Sequence, residues 1–302
     1  MDQNEKPVSP GTRNLADDDL TQAVLATFSN ARSQRFQEVM QSLIRHLHAF
    51  VKEVELTEEE WFKGIEYLTQ TGHITDDKRQ EFILLSDVLG VSMLVIGINN
   101  KKPAEATSST VFGPFFREDS PRVQNGNDIA NGAPGKPCFI QGQVRSITGE
   151  PLPNAHIEIW QADEDGFYDV QYKESSQVQG RGHLYADNNG HYSFWSVKPE
   201  AYPIPADGPV GDLLQAANRS PMRPAHVHFM IKAPGYKTLI THVFEENDRY
   251  LDSDAVFGVR SSLIASFEHC DPGVAPDGKH MEVPFYTLRY DFLMVPVEEK
   301  PV

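Results

Sequence analysis

The hydrophobic periodicity of this chain changes once, between residues 99 and 110, and that change constrains the fold more than any other feature. Ahead of it, apolar residues recur every three or four positions, the spacing of one helix face. Behind it, short β-branched and aromatic runs alternate with Gly, Pro, Asn and Asp turns, the texture of packed strands. Residues 18–28 open with acidic side chains and keep helical spacing. Residues 36–54 set Phe36, Val39, Met40, Leu43, Leu47 and Phe50 on one stripe. Thr57-Glu58-Glu59-Glu60 reads as a capping box for a third helix through Leu68, ending before Thr71-Gly72. A fourth is expected from about Asp76, carrying the apolar stretch 82–96, and residues 1 to about 17 read as a loose polar arm. These helices have more apolar surface than a small bundle buries, which calls for a homodimer interface, an apolar ligand groove or packing on the downstream region.

Downstream, runs at 138–144 and 155–160 flank a turn-rich segment, and runs at 184–186 and 191–195 flank the hairpin signal Asp187-Asn188-Asn189-Gly190. Further strands are expected at 223–231, 238–244 and 285–292, with no helix between them. The expected fold class is therefore α+β, with a helical region over 1–105 and an antiparallel β-sandwich over 106–302. The net charge of −16 excludes a nucleic-acid binder that needs a basic face, though it leaves room for an anionic substrate held by a local Arg. Two cysteines, Cys138 and Cys270, fit a reducing cytoplasm. No signal peptide is visible and no apolar run is long enough for membrane insertion.

The chemistry concentrates in Arg223-Pro224-Ala225-His226-Val227-His228-Phe229-Met230-Ile231. On a strand, His226 and His228 point to the same face. Two imidazoles on one face can share a metal ion, or can be an inert hydrogen-bonded pair. The carboxylates Asp163, Glu164 and Asp165 read as a solvated loop. Tyr168 closes the turn 165–168, and Tyr202 sits in the extended Pro-rich segment 199–205. A loop tyrosine ordinarily covers a core with its hydroxyl in water. Two ionised phenols beside two neutral imidazoles would instead suit a hard trivalent ion, with Arg223 as a fixed positive charge beside it.

Gly166-Phe167-Tyr168, Tyr202 and the 223–229 segment, in this order, resemble the intradiol ring-cleavage dioxygenases, and the resemblance extends over nearly the whole chain. It implies one non-haem Fe(III) per subunit, held by Tyr168 and His226 as equatorial ligands and Tyr202 and His228 as axial ones. Within the family, Leu85-Ser86-Asp87, Val111-Phe112-Gly113-Pro114-Phe115, Tyr202-Pro203-Ile204-Pro205, the 250–259 segment and His242 after Thr241 are similar to the branch acting on hydroxyquinol, benzene-1,2,4-triol. The catechol branch carries Gln at the position of His242.

The resemblance implies a substrate bound through two adjacent hydroxyls, Tyr202 released to accept a proton, O2 inserted between the hydroxyl-bearing carbons, and Arg223 stabilising developing charge. Leu84 and Asp87 are the residues expected to discriminate the third ring hydroxyl. Val111, Phe112, Gly113, Pro114, Phe115, Ile204, Pro205, Arg223, His242 and Val256 complete the expected substrate-binding set. Without the resemblance, Asp87 reads as an ordinary helix carboxylate and the apolar residues as turn and core. The family also implies a homodimer through the front helices and room there for a phospholipid. Catechol or chlorocatechol cleavage, a non-catalytic β-sandwich module and a cupin-type His-x-His site are the competing readings.

Overall fold

The computed structural model describes residues 15–76, 79–172 and 177–297, so the expected N-terminal arm lies almost wholly outside the described residues. The chain packs as two compact units, Met1–Thr69 and Gln70–Val302, and the expected division at 105/106 falls within the second.

The first unit holds α1 (Asp17–Thr27), α2 (Gln34–Glu53) and most of α3 (Glu58–Ile74). Helix α3 starts as its sequence dictates: Glu60 N donates to Thr57 Oγ1 at 3.3 Å and Thr57 N donates to Glu60 Oε2 at 3.0 Å. It does not stop at Thr71-Gly72, because Thr71 is fully buried and the cost of one mid-helix glycine, about 1 kcal/mol, is too small to end a packed helix. Along α2 the stripe Phe36, Val39, Leu43, Leu47 and Phe50 stays 46–53% exposed.

The second unit opens with α4 (Glu81–Val88) and α5 (Val91–Asn99), bent by 78° where one continuous helix was expected. Gly90 makes the break at φ 73°, a left-handed conformation that other residues reach only at a cost of about 1 kcal/mol or more. No single described helix is long and apolar enough to cross a membrane.

Two five-stranded sheets follow. One has the order β10 (Glu268–Cys270), β13 (Phe285–Arg289), β1 (Pro137–Ser146) and β14 (Phe292–Met294), with β4 (His191–Val197) on the other side of β1. The second runs β3 (Arg181–Tyr185), β2 (His156–Trp160), β7 (His226–Lys232), β8 (Leu239–Glu245) and β9 (Ile264–Ala265). Two short pairs complete the set: β5 (Tyr202–Pro203) with β6 (Met222–Arg223), and β11 (Gly273–Val274) with β12 (His280–Met281). Strand alternation sends Ile157, Ile159, Val227, Phe229 and Ile231 from one sheet, and Ile140, Val144, Phe194, Leu288 and Phe292 from the other, into one shared apolar core. The opposite face of the second sheet is left to carry the polar chemistry.

Four further expectations need correction. The pairing is mixed rather than antiparallel, since β1 runs parallel to β13 and β14, and β8 to β9. The turn at 187–190 closes, with Asp187 N donating to His191 O at 2.9 Å, but it carries the chain from one sheet to the other instead of making a hairpin. The expected strand 285–292 breaks at Tyr290-Asp291, where Tyr290 O approaches β1 so closely that a Cβ on Gly142 would stand 1.7 Å from it. Finally, α6 (Pro209–Ala216) lies between β5 and β6 where no helix was expected. Pro209 supplies its preset first turn, and buried Glu81 accepts from Val210 N at 3.0 Å.

Candidate metal centre

The polar face of the second sheet is built by register. His226 and His228 alternate onto it from β7, opposite Phe244 and His242 on β8, while Trp160 on β2 pairs with His228 from the other side. The Trp160 ring stacks on His228 with centroids 4.7 Å apart. Tyr168 arrives from the loop after β2. That loop is not solvated as expected at Asp163, which is buried and accepts from Asp165 N and Phe167 N, each at 3.1 Å. Gly166 takes φ 81° there, and a Cβ on it would stand 2.7 Å from Tyr202 Cβ, so only glycine lets the two tyrosine segments meet. Phe115 stacks on the Tyr168 ring at 4.4 Å and fixes its plane. Tyr202 is held by the β5–β6 ladder, in which it is the register partner of Arg223.

The result is a closed ring of four donor atoms, all on buried side chains. Tyr168 Oη lies 2.9 Å from Tyr202 Oη and 2.8 Å from His228 Nε2. His226 Nε2 lies 3.1 Å from His228 Nε2 and 3.5 Å from Tyr202 Oη. Separations of this size are those between adjacent ligands whose bonds to one ion are about 2 Å long. His226 Nδ1 lies 2.7 Å from Pro224 O, so it carries the proton and leaves the Nε2 lone pair facing the ring. Burial, reinforced by Arg223, pushes His226 down to about 3. Burial likewise drives His228 well below the imidazole range, with His226 adding to the effect. Both are neutral, as metal ligation requires. Burial raises both phenols, with Tyr202 adding to the rise at Tyr168 and the Arg223 charge opposing it at Tyr202. A bound cation would reverse that direction and ionise them. The donor set therefore fits Fe(III), a hard trivalent ion.

Arg223 is buried beside the ring. Its Nη1 lies 3.1 Å from His226 Nε2 and its Nη2 3.4 Å from His242 Nδ1, while Nε donates to Asp254 Oδ1 at 3.0 Å. His242 faces His228 with ring centroids 4.0 Å apart, and its buried Nε2 has no hydrogen-bond partner among the described residues. Leu84, Val111, Ile204 and Val256, four of the expected substrate-binding residues from four separate stretches, share one apolar cluster with Val88 and Val210. Asp87 is buried close enough to Arg223 and Asp254 for both charges to act on it. Burial outweighs the Ser92 hydrogen bond and the Arg223 charge, and raises its carboxyl to about 6. Gly113 lies against His228: a Cβ there would be 3.3 Å from Cε1. Phe112 is partly exposed and packs on Trp160 and Phe116, and Pro114 and Pro205 are half-buried. Sequence reading missed Asp254 and Trp160. Asp254 follows another acid in Asp252-Ser253-Asp254, and only the register shows that Trp160 reaches His228.

Comparison with known proteins agrees with this geometry. Residues 111–296 match the family model described as Dioxygenase, and residues 33–107 match Catechol dioxygenase N terminus. The chain is 51% identical to the hydroxyquinol 1,2-dioxygenase of Nocardioides simplex over 96% of this chain and 99% of that protein. Its fold matches the crystal structure of hydroxyquinol 1,2-dioxygenase from Pseudomonas putida DLL-E4 with a TM-score of 0.85 and 46% identity, covering 93% of this chain and 99% of that one. The catechol 1,2-dioxygenase of Pseudomonas arvilla C-1 matches with a TM-score of 0.82 and 27% identity, over 95% of this chain and 94% of that one. With a tyrosine–histidine donor ring on one sheet face and family models matched on both sides of residue 107, this chain belongs to the intradiol ring-cleavage dioxygenases.

Proposed function

We propose that this chain cleaves hydroxyquinol between its two adjacent hydroxyl-bearing carbons, taking up one O2 and giving 3-hydroxy-cis,cis-muconate, the enol form of maleylacetate. The balance closes because both oxygen atoms enter the product. The observation that carries this reading is the closed ring of Tyr168, Tyr202, His226 and His228 beside buried Arg223. These four residues would hold Fe(III), which when bound draws electron density from the diol oxygens and opens the ring to attack by O2. Ionised Tyr202 would take a substrate proton at its Oη, and the positive charge of Arg223 favours that ionised form beforehand. With His226 Nε2 engaged, Arg223 Nη1 is free to donate to an anionic substrate oxygen. The cluster of Leu84, Val111, Ile204 and Val256 excludes water from the ring face. Asp87 supplies a buried acceptor for the third hydroxyl, which catechol lacks.

We assign the helical front of 1–105 to a homodimer contact, supported by the exposed apolar stripe on α2, and the same surface could hold a phospholipid acyl chain. The catalytic region is 106–302, a β-sandwich, and a cytoplasmic location suits its free thiols. A second reading, catechol cleavage, is supported by the likeness to catechol 1,2-dioxygenases such as that of Pseudomonas arvilla C-1, at lower identity than the hydroxyquinol enzymes. Steady-state O2 uptake on iron-loaded protein separates them. A kcat/KM for hydroxyquinol at least tenfold that for catechol is expected, and the reverse order would overturn the substrate assignment.

A further inference from the structure

The second sheet carries another group of donors on the face that bears the tyrosine–histidine ring. His156, Glu158 and Trp160 alternate onto that face of β2, with Trp160 opposite His228, Glu158 opposite Met230 and His156 opposite Lys232. The His156 end therefore lies about 13 Å along the strand from the iron-ligand end. His183 on β3 is the register partner of Glu158. One ring nitrogen from each histidine and one carboxylate oxygen lie within 4.8 Å of one another. The two imidazoles meet at 63° with centroids 5.0 Å apart, and His156 Nε2 is 3.4 Å from Glu158 Oε1.

Two features point to a missing cation. Glu158 is 6% exposed, yet among the described residues no Lys or Arg stands within ion-pair distance of it, and a buried carboxylate without a positive partner is costly. The group is also held ready by a neighbouring segment. Ser120 Oγ donates to Glu158 Oε2 at 2.5 Å, which leaves Oε1 toward His156. Ser120 O lies 2.9 Å from His183 Nδ1, so that nitrogen donates and the ring keeps a lone pair on Nε2. The positive groups nearby, Lys232 and Arg122, are exposed, and Arg122 is turned over the Tyr185 ring at 4.9 Å.

We propose that His156, Glu158 and His183 form a second metal site, separate from the tyrosine–histidine centre, for a divalent first-row transition ion such as Zn2+. Two neutral imidazoles, one carboxylate and a position open to water make a donor set for such an ion. Without phenolates, its single negative charge does not match a trivalent one. The ion would tie β2 to β3 and to the Ser120 segment. This site does not rest on the ring-cleavage reading, because it shares no ligand with that centre.

Equilibrium dialysis of the iron-loaded protein against Zn2+, followed by analysis for both metals, tests the site. One zinc per chain is expected, with iron content unchanged and a melting temperature raised by a few degrees. His183→Ala and Glu158→Gln are expected to weaken zinc binding at least tenfold while retaining iron. No bound zinc, zinc gained only as iron is lost, or equal zinc binding by His183→Ala would overturn the proposal. Should the variants fail to fold, zinc-edge X-ray absorption on the wild-type protein decides: two imidazoles in the ligand shell uphold the site, and none refutes it.

Discussion

Arg223 and Asp254 form a buried two-contact ion pair, Nε to Oδ1 at 3.0 Å and Nη2 to Oδ2 at 3.4 Å. The same carboxylate accepts from Val256 N at 3.3 Å and Gly258 N at 2.8 Å, so one side chain aims the guanidinium and shapes the loop that carries a pocket wall. Removing one partner of a buried pair strands the other. Asp254→Ala should therefore cost about 3–5 kcal/mol of stability, measured by urea denaturation. Asp254→Asn, which keeps the shape, should lower kcat more than it raises KM.

The same pair sets an acid limit on stability. Burial raises the Asp254 carboxyl, but the Arg223 charge and hydrogen bond outweigh it and hold it below the ordinary carboxylate value. A depressed folded-state pKa stabilises the fold above the unfolded value of about 3.9, and that contribution is lost as pH falls through the folded value. The wild-type protein should lose stability below about pH 4 more steeply than Asp254→Asn, as chemical denaturation across that range would report.

Asp87 works in the opposite direction. Its carboxyl is raised to about 6 by burial, so the folded state binds a proton more tightly than the unfolded one. Its contribution to stability is present below about pH 4 and is lost as pH rises from there through 6. A shift of about two pKa values corresponds to up to about 3 kcal/mol. Asp87→Asn should be more stable than the wild type above pH 6 by up to that amount and equal to it near pH 4. Asp87→Ala, which removes the acceptor for the third hydroxyl altogether, should narrow the preference for hydroxyquinol over catechol about tenfold or more.

Gly113 gives a backbone test. It sits at φ 76°, and a Cβ would press on His228 Cε1 at 3.3 Å. Gly113→Ala should destabilise the protein by about 1–2 kcal/mol and lower its iron content at fixed loading.

Much of this site could be read from the residues alone. The two-residue strand period placed His226 and His228 together, and the resemblance supplied Tyr168 and Tyr202, which the structure brings within 2.9 Å of each other. The helical front was legible because α2 keeps a clean stripe and α3 a reciprocal cap. What was not legible depends on contacts between distant segments. The break at Gly90 turns on one left-handed residue within an apolar run. The division of β13 from β14 depends on Tyr290 O meeting a glycine about 150 positions earlier. Asp254 has no local signal that it, rather than Asp252, meets Arg223.

The most direct test of the ring-cleavage account is a single turnover of hydroxyquinol under 18O2 with iron-loaded protein, with mass analysis of the ring-opened acid. Incorporation of both labelled atoms into the dicarboxylate is the predicted result. Unlabelled product, a ring opened outside the two hydroxyl-bearing carbons, or an intact ring would contradict it.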